Sequence, residues 1–503
     1  MQTIAQYPNT KNLTKADALA MAVNDGLGNY YGYWVQPMRS FLSEALGNGT
    51  VKPDTILAAG QRVLLSFFKL GFFDMHSASY PWHNESIPWS QLDSSEHRKL
   101  ARESAAKSTV LLKNDGILPL SPPPSSSSSS SIAVIGPFAR CDGTPGSRGE
   151  QNGTCYLHSY NGNPSSISSI YAGIAAAAGG SATTTYAQGS NATCGWKCSG
   201  KAPAGEAECW TRAGSPAAVA LSTAVDAAAA ADMTVLVLGN GAEVEGEGCD
   251  RFSLTLPAVQ AALQAEVQAV SKKLIVVVVS AGGIDIDESK ANAVVWAPYG
   301  GEEAGTGLAD VLYGNVNPSA KLPLTFYKQA WFNAMTNNVT TSLLNLNLEV
   351  GAGRTHRYLQ DSAMYVQHNF GFGLSFTKFA FSGIKTSDPS KASSAGLSVT
   401  VTVTNTGSRA GAEIVQVYIS RASGIEDAPL RDLVGFAKVP LAIGAQSTVT
   451  INIPARALET ALEDGSTKVV AGSRTIYVGG HLPGDSEGEA SSGPCLSQTL
   501  LLA

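Results

Sequence analysis

The chain has 503 residues and a formal net charge of −6, and only 15% of its residues are charged. At roughly 150 residues per domain this length predicts about three domains. The 34 basic residues do not outnumber the 40 acidic ones, so there is no excess of positive charge to bind a phosphate backbone and no nucleic-acid partner is expected. The longest apolar run, at residues 274–280, is far shorter than the roughly 20 residues of a membrane span, so no membrane association is expected either.

The first part of the chain is predicted to be helical. Between residues 13 and 75, apolar residues recur at three- and four-residue spacing, which is typical of amphipathic helices. A further helix followed by a strand is predicted at residues 94–115 (SSEHRKLARESAAKSTVLLKND). The serine-rich segment at residues 121–131 cannot pack a core, and we expect it to form a surface loop.

Strands and helices alternate beyond that loop. Continuous β-branched runs, such as residues 233–239 (MTVLVLG) and 274–280 (LIVVVVS), are separated by amphipathic helices, which predicts a largely parallel sheet covered on both faces. In such sheets the ligand crevice lies beyond the carboxyl ends of the strands. This rule directs attention to the segment after Gly239.

From about residue 395 the apolar pattern has period two. Short alternating segments such as LSVTVTVTN and STVTINI are separated by glycine-containing turns. This spacing predicts an antiparallel β-sandwich as the third domain.

The cysteines and glycosylation sequons indicate an oxidising, secreted context. Zinc is not expected, because Cys194 and Cys198 have no second pair and no histidine nearby, so loop disulfides are the expectation. The first residues show no secretory signal pattern, and we therefore expect the sequence to be part of a longer secreted protein. The cysteines are Cys141, Cys155, Cys194, Cys198, Cys209, Cys249 and Cys495, and the sequons are at Asn12, Asn48, Asn84, Asn152, Asn191 and Asn338.

An acidic, glycine-rich segment follows the strand that ends at Gly239. Residues 239–251 read GNGAEVEGEGCDR, with three alternating glutamates. A carboxylic acid at such a crevice can protonate a leaving group, although a solvated acidic turn without a chemical role is the alternative. We expect the adjoining Asp250 and Arg251 to brace the loop through an internal ion pair. The segment lacks the Lys-Ser/Thr ending of a phosphate-binding loop, and no cofactor is implied.

Several ordered blocks of this sequence resemble glycoside hydrolase family 3, with wording closest to its β-xylosidase-like members. No single block is specific, but their combined order and spacing are. The blocks lie at residues 103–120, 132–139, 244–257 (VEGEGCDRFSLTLP), 300–327, 353–360 (GRTHRYLQ), 368–379 (HNFGFGLSFTKF) and 431–454.

The resemblance implies an architecture of three parts. Residues 1–80 would be the C-terminal remnant of a (β/α)8 TIM-barrel domain, and residues 93–335 a mostly parallel α/β sandwich domain. A connecting segment at 336–392 would lead to a fibronectin type III-like antiparallel β-sandwich at 393–503.

It also implies a reaction and the residues that perform it. The family's acid/base glutamate maps onto Glu247, with Glu245 as the runner-up, and the reaction would release terminal non-reducing β-linked xylose from xylo-oligosaccharides with retention. The family's nucleophile is an aspartate of the barrel domain, upstream of the segment matched here, so no residue of this chain is assigned as nucleophile. A retaining mechanism needs two carboxyl groups, and we therefore expect little activity from this chain alone.

Two other functions stay open at this point. The chain can be a β-glucosidase of the same family, since the residues that distinguish the sugars are largely expected outside it. It can also be a non-catalytic carbohydrate-binding or interaction protein, which is favoured by the serine-rich insertion and by Gly28, where the family usually has an aspartate. The oligomeric state is not predicted.

Overall fold

The protein is described from a computed structural model that divides into two compact units, Met1–Ser94 and Ser95–Ala503. Gly28, residues 121–129 of the serine-rich segment and every cysteine except Cys495 lie outside the described residues, and Cys495 is free. No helix within the described part of the chain is both long and apolar enough to cross a membrane. The described residues are 13–27, 35–74, 88–120, 130–140, 156–157, 162, 164–191, 216–241, 244–246, 250–336, 347–420, 428–462 and 466–502.

The first unit is helical where it is described. Its helices are α1 (Lys15–Asn24), α2 (Val35–Gly47) and α3 (Pro53–Lys69). Helix α1 begins with a reciprocal cap, in which Asp17 N donates to Thr14 Oγ1 at 3.1 Å and Thr14 N donates to Asp17 Oδ2 at 3.0 Å.

Helix α3 and the turn after it leave large apolar side chains exposed. Such an uncovered apolar face is typical of a surface that another segment or molecule covers. The interpretation of this unit as part of a barrel domain stays a prediction. The exposed side chains are Leu57, Leu64, Leu65, Phe67, Phe68, Leu70, Phe72 and Phe73.

The second unit begins with an α/β layer. Its elements are α4 (Ser95–Ser108), β1 (Val110–Asn114), β2 (Ser130–Ile135), α5 (Ile170–Ala178), β3 (Ala182–Ala187), α6 (Pro216–Ala230), β4 (Met233–Gly239), α7 (Ala258–Val270), β5 (Leu274–Val279), β6 (Ala293–Ala297) and α8 (Ala304–Leu312). Among the described residues these strands form one six-stranded sheet in the order β1-β6-β5-β4-β2-β3, in which β1 is antiparallel to β6 and the other pairs are parallel. The predicted, mostly parallel sheet is therefore confirmed.

Both faces of this sheet are buried. Successive strand residues point to opposite faces, so Leu236 packs in one core with Leu263 of α7, while Val235 packs in the other core with Leu308 of α8. Two apolar faces explain why the strands appear in the sequence as unbroken β-branched runs.

Short elements lie between the α/β layer and the third part of the fold. They are β7 (Phe326–Tyr327), α9 (Gln329–Thr336), α10 (Thr355–Tyr358), α11 (Ser362–Tyr365) and β8 (Val366–His368). Strands β7 and β8 pair with each other in antiparallel fashion.

The C-terminal part is an antiparallel β-sandwich, as predicted. Its elements are β9 (Phe379–Thr386), α12 (Ala392–Ala395), β10 (Leu397–Asn405), β11 (Gly411–Ser420), β12 (Arg431–Leu441), β13 (Gln446–Ile453), β14 (Glu459–Ala461), β15 (Thr467–Val469), β16 (Gly472–Gly479), α13 (Ser486–Ser492) and β17 (Leu496–Leu502). One sheet has the order β13-β10-β9 and the other β12-β11-β16-β17. In β10, Val399, Val401 and Val403 are fully buried and the threonines between them are not, which is the period-two pattern of the sequence.

Ionic contacts join the sandwich to the preceding parts of the unit. Lys321 Nζ lies 3.1 Å from Glu413 Oε1 of β11, and both side chains are largely buried. The ring of His368 lies between two carboxylates, with Nε2 at 2.8 Å from Glu288 Oε1 and Nδ1 at 3.2 Å from Glu487 Oε2 of α13. Charged pairs of this kind fix the relative position of the two layers more specifically than apolar packing does.

Candidate active site

The acidic segment starts from a tightly fixed strand end. Gly239 closes β4 so near to β5 that an added Cβ would lie 1.9 Å from Val279 O, so only glycine fits there. Gln260, fully buried on α7, accepts from Gly239 N at 2.9 Å and donates to Gly239 O at 2.7 Å. A side chain of the covering helix thus holds the base of the loop in place.

The next residues continue this anchoring. Asn240 is fully buried; its N–H donates to Val279 O at 3.0 Å, and its carbonyl accepts from Tyr299 Oη at 2.6 Å. Val244 is buried as well, and Glu245 N donates to Gly241 O at 3.2 Å. The described residues that precede the later acidic positions are therefore held in place by the protein.

Glu245 lies at the centre of an ion pair. Its Oε2 is 2.8 Å from Arg251 Nε, and each of the two side chains is only 15% exposed. Its Oε1 accepts from Ala281 N at 3.3 Å and from Tyr299 Oη at 3.4 Å. Both carboxylate oxygens of Glu245 are thus bound by groups of this chain.

Arg251 ties the far end of the loop to the neighbouring strand end. Its Nη1 donates to Gly283 O at 2.9 Å, and it also reaches the Asn240 amide oxygen at 3.3 Å when that oxygen faces the guanidinium. The sequence predicts that Asp250 and Arg251 brace the loop through an ion pair; among the described residues Arg251 pairs with Glu245, while Asp250 is exposed. Glu245 and Arg251 are six positions apart, so their pair brings together the two ends of a short stretch of chain.

Glu247, the first candidate for the acid/base, lies outside the described residues, as do Glu243 and Cys249. Its place in the chain is nevertheless bounded. It follows Glu245 by two positions and precedes Arg251 by four, so it belongs to the segment that the ion pair closes.

Two residues of this arrangement were missed by sequence reasoning. Gln260 interrupts the apolar face of α7, and a polar residue at a core position of a helix is a signal for a buried hydrogen-bonding role. Tyr299 follows β6, and its contact with a loop some fifty residues earlier has no local signal in the sequence.

Comparison with known protein families gives the site its context. The profile of the Glycosyl hydrolase family 3 C-terminal domain matches residues 109–376, and that of the Fibronectin type III-like domain matches residues 413–481.

The chain is also similar to named proteins of this kind. It is 30% identical over 498 residues to a periplasmic β-glucosidase of Salmonella typhimurium, covering 95% of this chain and 61% of that protein. It is 30% identical over 425 residues to a β-xylosidase of Formosa agariphila, covering 84% of this chain and 53% of that protein. The crystal structure of a GH3 β-glucosidase from Bifidobacterium adolescentis superposes with a TM-score of 0.69 at 26% identity, covering 96% of this chain and 63% of that one.

This chain thus spans between half and two thirds of the length of these relatives. The family match covers more than half of the chain and includes both the sheet and the loop anchored at Glu245 and Arg251. The chain belongs to glycosyl hydrolase family 3.

Proposed function

We propose that this chain carries the proton-donating half of a retaining β-glycosidase, with Glu247 as acid/base and Glu245 as the residue that positions the loop. The observation that carries the proposal is the pairing of Glu245. Its two oxygens are held by Arg251, Ala281 and Tyr299, so Glu245 serves as an anchor within the protein. Because Glu245 is committed to these contacts, they support Glu247, the position at which the family resemblance places the acid/base, as the proton donor.

The reaction requires a second carboxyl group. Retaining enzymes place two carboxyl groups about 5 Å apart, one attacking the anomeric carbon and one protonating the leaving oxygen. No residue of this chain is assigned as the nucleophile, and the family resemblance attributes it to a barrel domain. We therefore expect Glu247 to act only when a nucleophile domain is present.

The proposed substrate is the terminal non-reducing β-linked xylose of xylo-oligosaccharides. It is supported by the similarity to β-xylosidases from Formosa agariphila and from Arabidopsis thaliana. The similarity to the Salmonella typhimurium β-glucosidase supports glucose as the alternative sugar. The kcat/KM ratio for the p-nitrophenyl β-xyloside and β-glucoside decides between them.

The acid/base assignment is tested by variants of two glutamates assayed with two leaving groups. The assay uses the 503-residue chain and a longer product that includes any coding sequence upstream of Met1. Glu247→Ala should lower kcat for xylobiose by about 10²- to 10⁴-fold, because the poor sugar leaving group needs a proton. Hydrolysis of the dinitrophenyl xyloside, whose leaving group needs none, should fall much less, and azide should restore part of the rate.

Controls separate an acid from an anchor. Glu245→Gln should lower the rates of hydrolysis of both substrates by similar factors, because it displaces the loop but removes no proton donor. Azide should not restore either rate. Glu266→Gln, an exposed glutamate of α7, should leave both rates unchanged. Azide rescue of a Glu245 variant, with none for Glu247→Ala, would reverse the two roles.

Secretion and N-glycosylation are part of the same proposal. Two sequon asparagines among the described residues, Asn48 and Asn191, are exposed, as a glycan requires. Expression in a eukaryotic secretory host, followed by endoglycosidase digestion and peptide mapping, should find glycans at these two sites.

A further inference from the structure

A cavity of about 330 Å³ lies beside the acidic loop, within the second unit. On one side it is lined by Arg251 and by Gly282 and Gly283, which follow β5. It is also lined by Tyr327 of β7 and by Phe370, which follows β8. Its volume is at the lower end of the range of small-molecule sites, about 300–1,000 Å³, and suits a ligand of a single ring.

One wall of the cavity is held in an unusual backbone conformation. Thr355 has a φ of +58°, a left-handed conformation that β-branched residues rarely adopt. Thr355 N donates to Tyr327 Oη at 2.5 Å, and Arg357 N donates to Thr355 Oγ1 at 3.2 Å. Strain of this kind is concentrated at functional sites. Here it brings Thr355, His356 and Arg357 together along the cavity.

The chemistry of the walls is amphipathic and close to neutral. His356 stacks on Phe370 with ring centroids 4.0 Å apart and an interplanar angle of 15°. Burial, with a smaller contribution from Arg357 and Arg431, lowers the pKa of His356 to about 4, so its ring is neutral near pH 7. The His356 Nε2 atom is buried and has no hydrogen-bond partner among the described residues.

The arginines of the cavity carry their own counter-charges. Arg251 is paired with Glu245, and Arg357 Nε lies 2.5 Å from Asp432 Oδ1. A cavity whose cations are already paired favours a neutral ligand over an anion, while its guanidinium and hydroxyl groups favour hydroxyl-bearing ligands. Apolar walls from Leu254 and Leu324 suit the C–H faces of a sugar ring.

We propose that this cavity binds a single neutral sugar residue, as a second subsite beside the acidic loop, and that Arg251 couples its occupancy to that loop. Arg251 is the physical link, because it lines the cavity and also closes the loop through Glu245. The coupling rests on the proposed function of the loop, whereas the binding itself does not. Binding can therefore be measured without turnover.

The binding test uses D-xylose and D-glucose as probes of the 503-residue chain in saturation-transfer NMR, with sorbitol as an open-chain control. Leu324→Trp fills the cavity. Gly282→Leu adds bulk beside Arg251, since a Cβ on Gly282 would lie 3.2 Å from Arg251 Nη2. Leu501→Trp, on an exposed position of β17, is the matched control.

We expect saturable binding of at least one of the two sugars that is weakened about tenfold or more by both cavity variants and unchanged by Leu501→Trp and by Glu247→Gln. Circular dichroism verifies that each variant is folded. If only one of the two cavity variants is folded, that variant alone suffices for the test. The absence of saturable binding, or binding that survives the cavity variants, overturns the proposal. Binding removed by Glu247→Gln instead places the sugar at the acidic loop and overturns it equally.

The coupling is tested by hydrogen exchange of the peptide covering residues 241–251. Sugar should slow its exchange in the parent chain but not in Arg251→Met, in which the cavity remains but the ion pair with Glu245 is lost. Equal protection in both proteins refutes the coupling through Arg251. Neither result depends on catalysis, so a failure of the glycosidase proposal remains distinguishable from a failure of this one.

Discussion

The buried His368 should make the second unit lose stability as the pH rises from about 6 to 10. Burial alone lowers the pKa of this histidine, but hydrogen bonds to Glu288 and Glu487 outweigh it and raise the pKa to about 9, from 6.5. Each pKa unit corresponds to about 1.4 kcal/mol, so the charged ring contributes about 3 kcal/mol.

The sign follows from the direction of the shift. Because the pKa of His368 is higher in the folded protein, folding favours its protonated form. The contribution is fully present below pH 6.5, decreases as the pH rises above that value, and is lost above about pH 9. Stability should therefore fall towards alkaline pH, the opposite of the behaviour of a carboxylate whose pKa is lowered by folding.

The assay is urea unfolding followed by tryptophan fluorescence, at pH values between 6 and 10. His368→Gln removes the titrating ring. Between pH 6 and pH 10 the free energy of unfolding of this variant should therefore fall by about 3 kcal/mol less than that of the parent chain. Glu487→Gln removes the more exposed of the two partners and should give an intermediate change. If the parent and His368→Gln lose the same stability between pH 6 and pH 10, the ring is not charged in the folded state and the reasoning is wrong.

Three further predictions concern stability and solubility. Gln260→Leu leaves a buried backbone N–H and carbonyl without their partner and should lower the free energy of unfolding by about 2–4 kcal/mol. The control Gln268→Leu, on the same helix, should lower it by less than about 1 kcal/mol, and urea unfolding measures both. Lys321→Met leaves Glu413, 6% exposed, without its cation and should cost about 3–5 kcal/mol in the same assay, part of which Lys321→Met combined with Glu413→Leu should recover. Leu65→Gln removes a 52% exposed apolar side chain from α3 and should reduce self-association in static light scattering, with the far-ultraviolet circular dichroism unchanged.

The elements of the fold could be predicted because each has a local cause. Continuous β-branched runs specified the strands of the parallel sheet, and the Val-Thr alternation specified β10. The order of the strands and the position of β1 as an antiparallel edge could not be predicted. They depend on which strands pair across long loops, and no periodicity in the sequence indicates which strands pair.

The ionic contacts show the same limit more sharply. His368 takes its partners from positions 288 and 487, each about eighty residues or more away, so no local pattern could reveal a charged histidine there. In the acidic loop, the sequence suggested that adjacent residues of opposite charge pair with each other. Among the described residues, Arg251 instead pairs with Glu245, which lies six positions earlier in the chain.

This pairing gives a physical reason for the presence of Glu245 so close to the proposed acid, Glu247. A loop that presents an acid to a substrate has to be held with little freedom, since misplacement by about 1 Å can cost a hundredfold in rate. Glycine restricts the backbone less than other residues do, so fixing a glycine-rich segment requires contacts beyond its own backbone. Glu245 provides such contacts by binding Arg251 and Ala281, which follows β5, and Glu247 remains the proposed acid. An arginine-to-lysine change at position 251 retains the charge but not the planar fork that reaches both Glu245 and Gly283, so it should weaken the anchor although it keeps the ion pair.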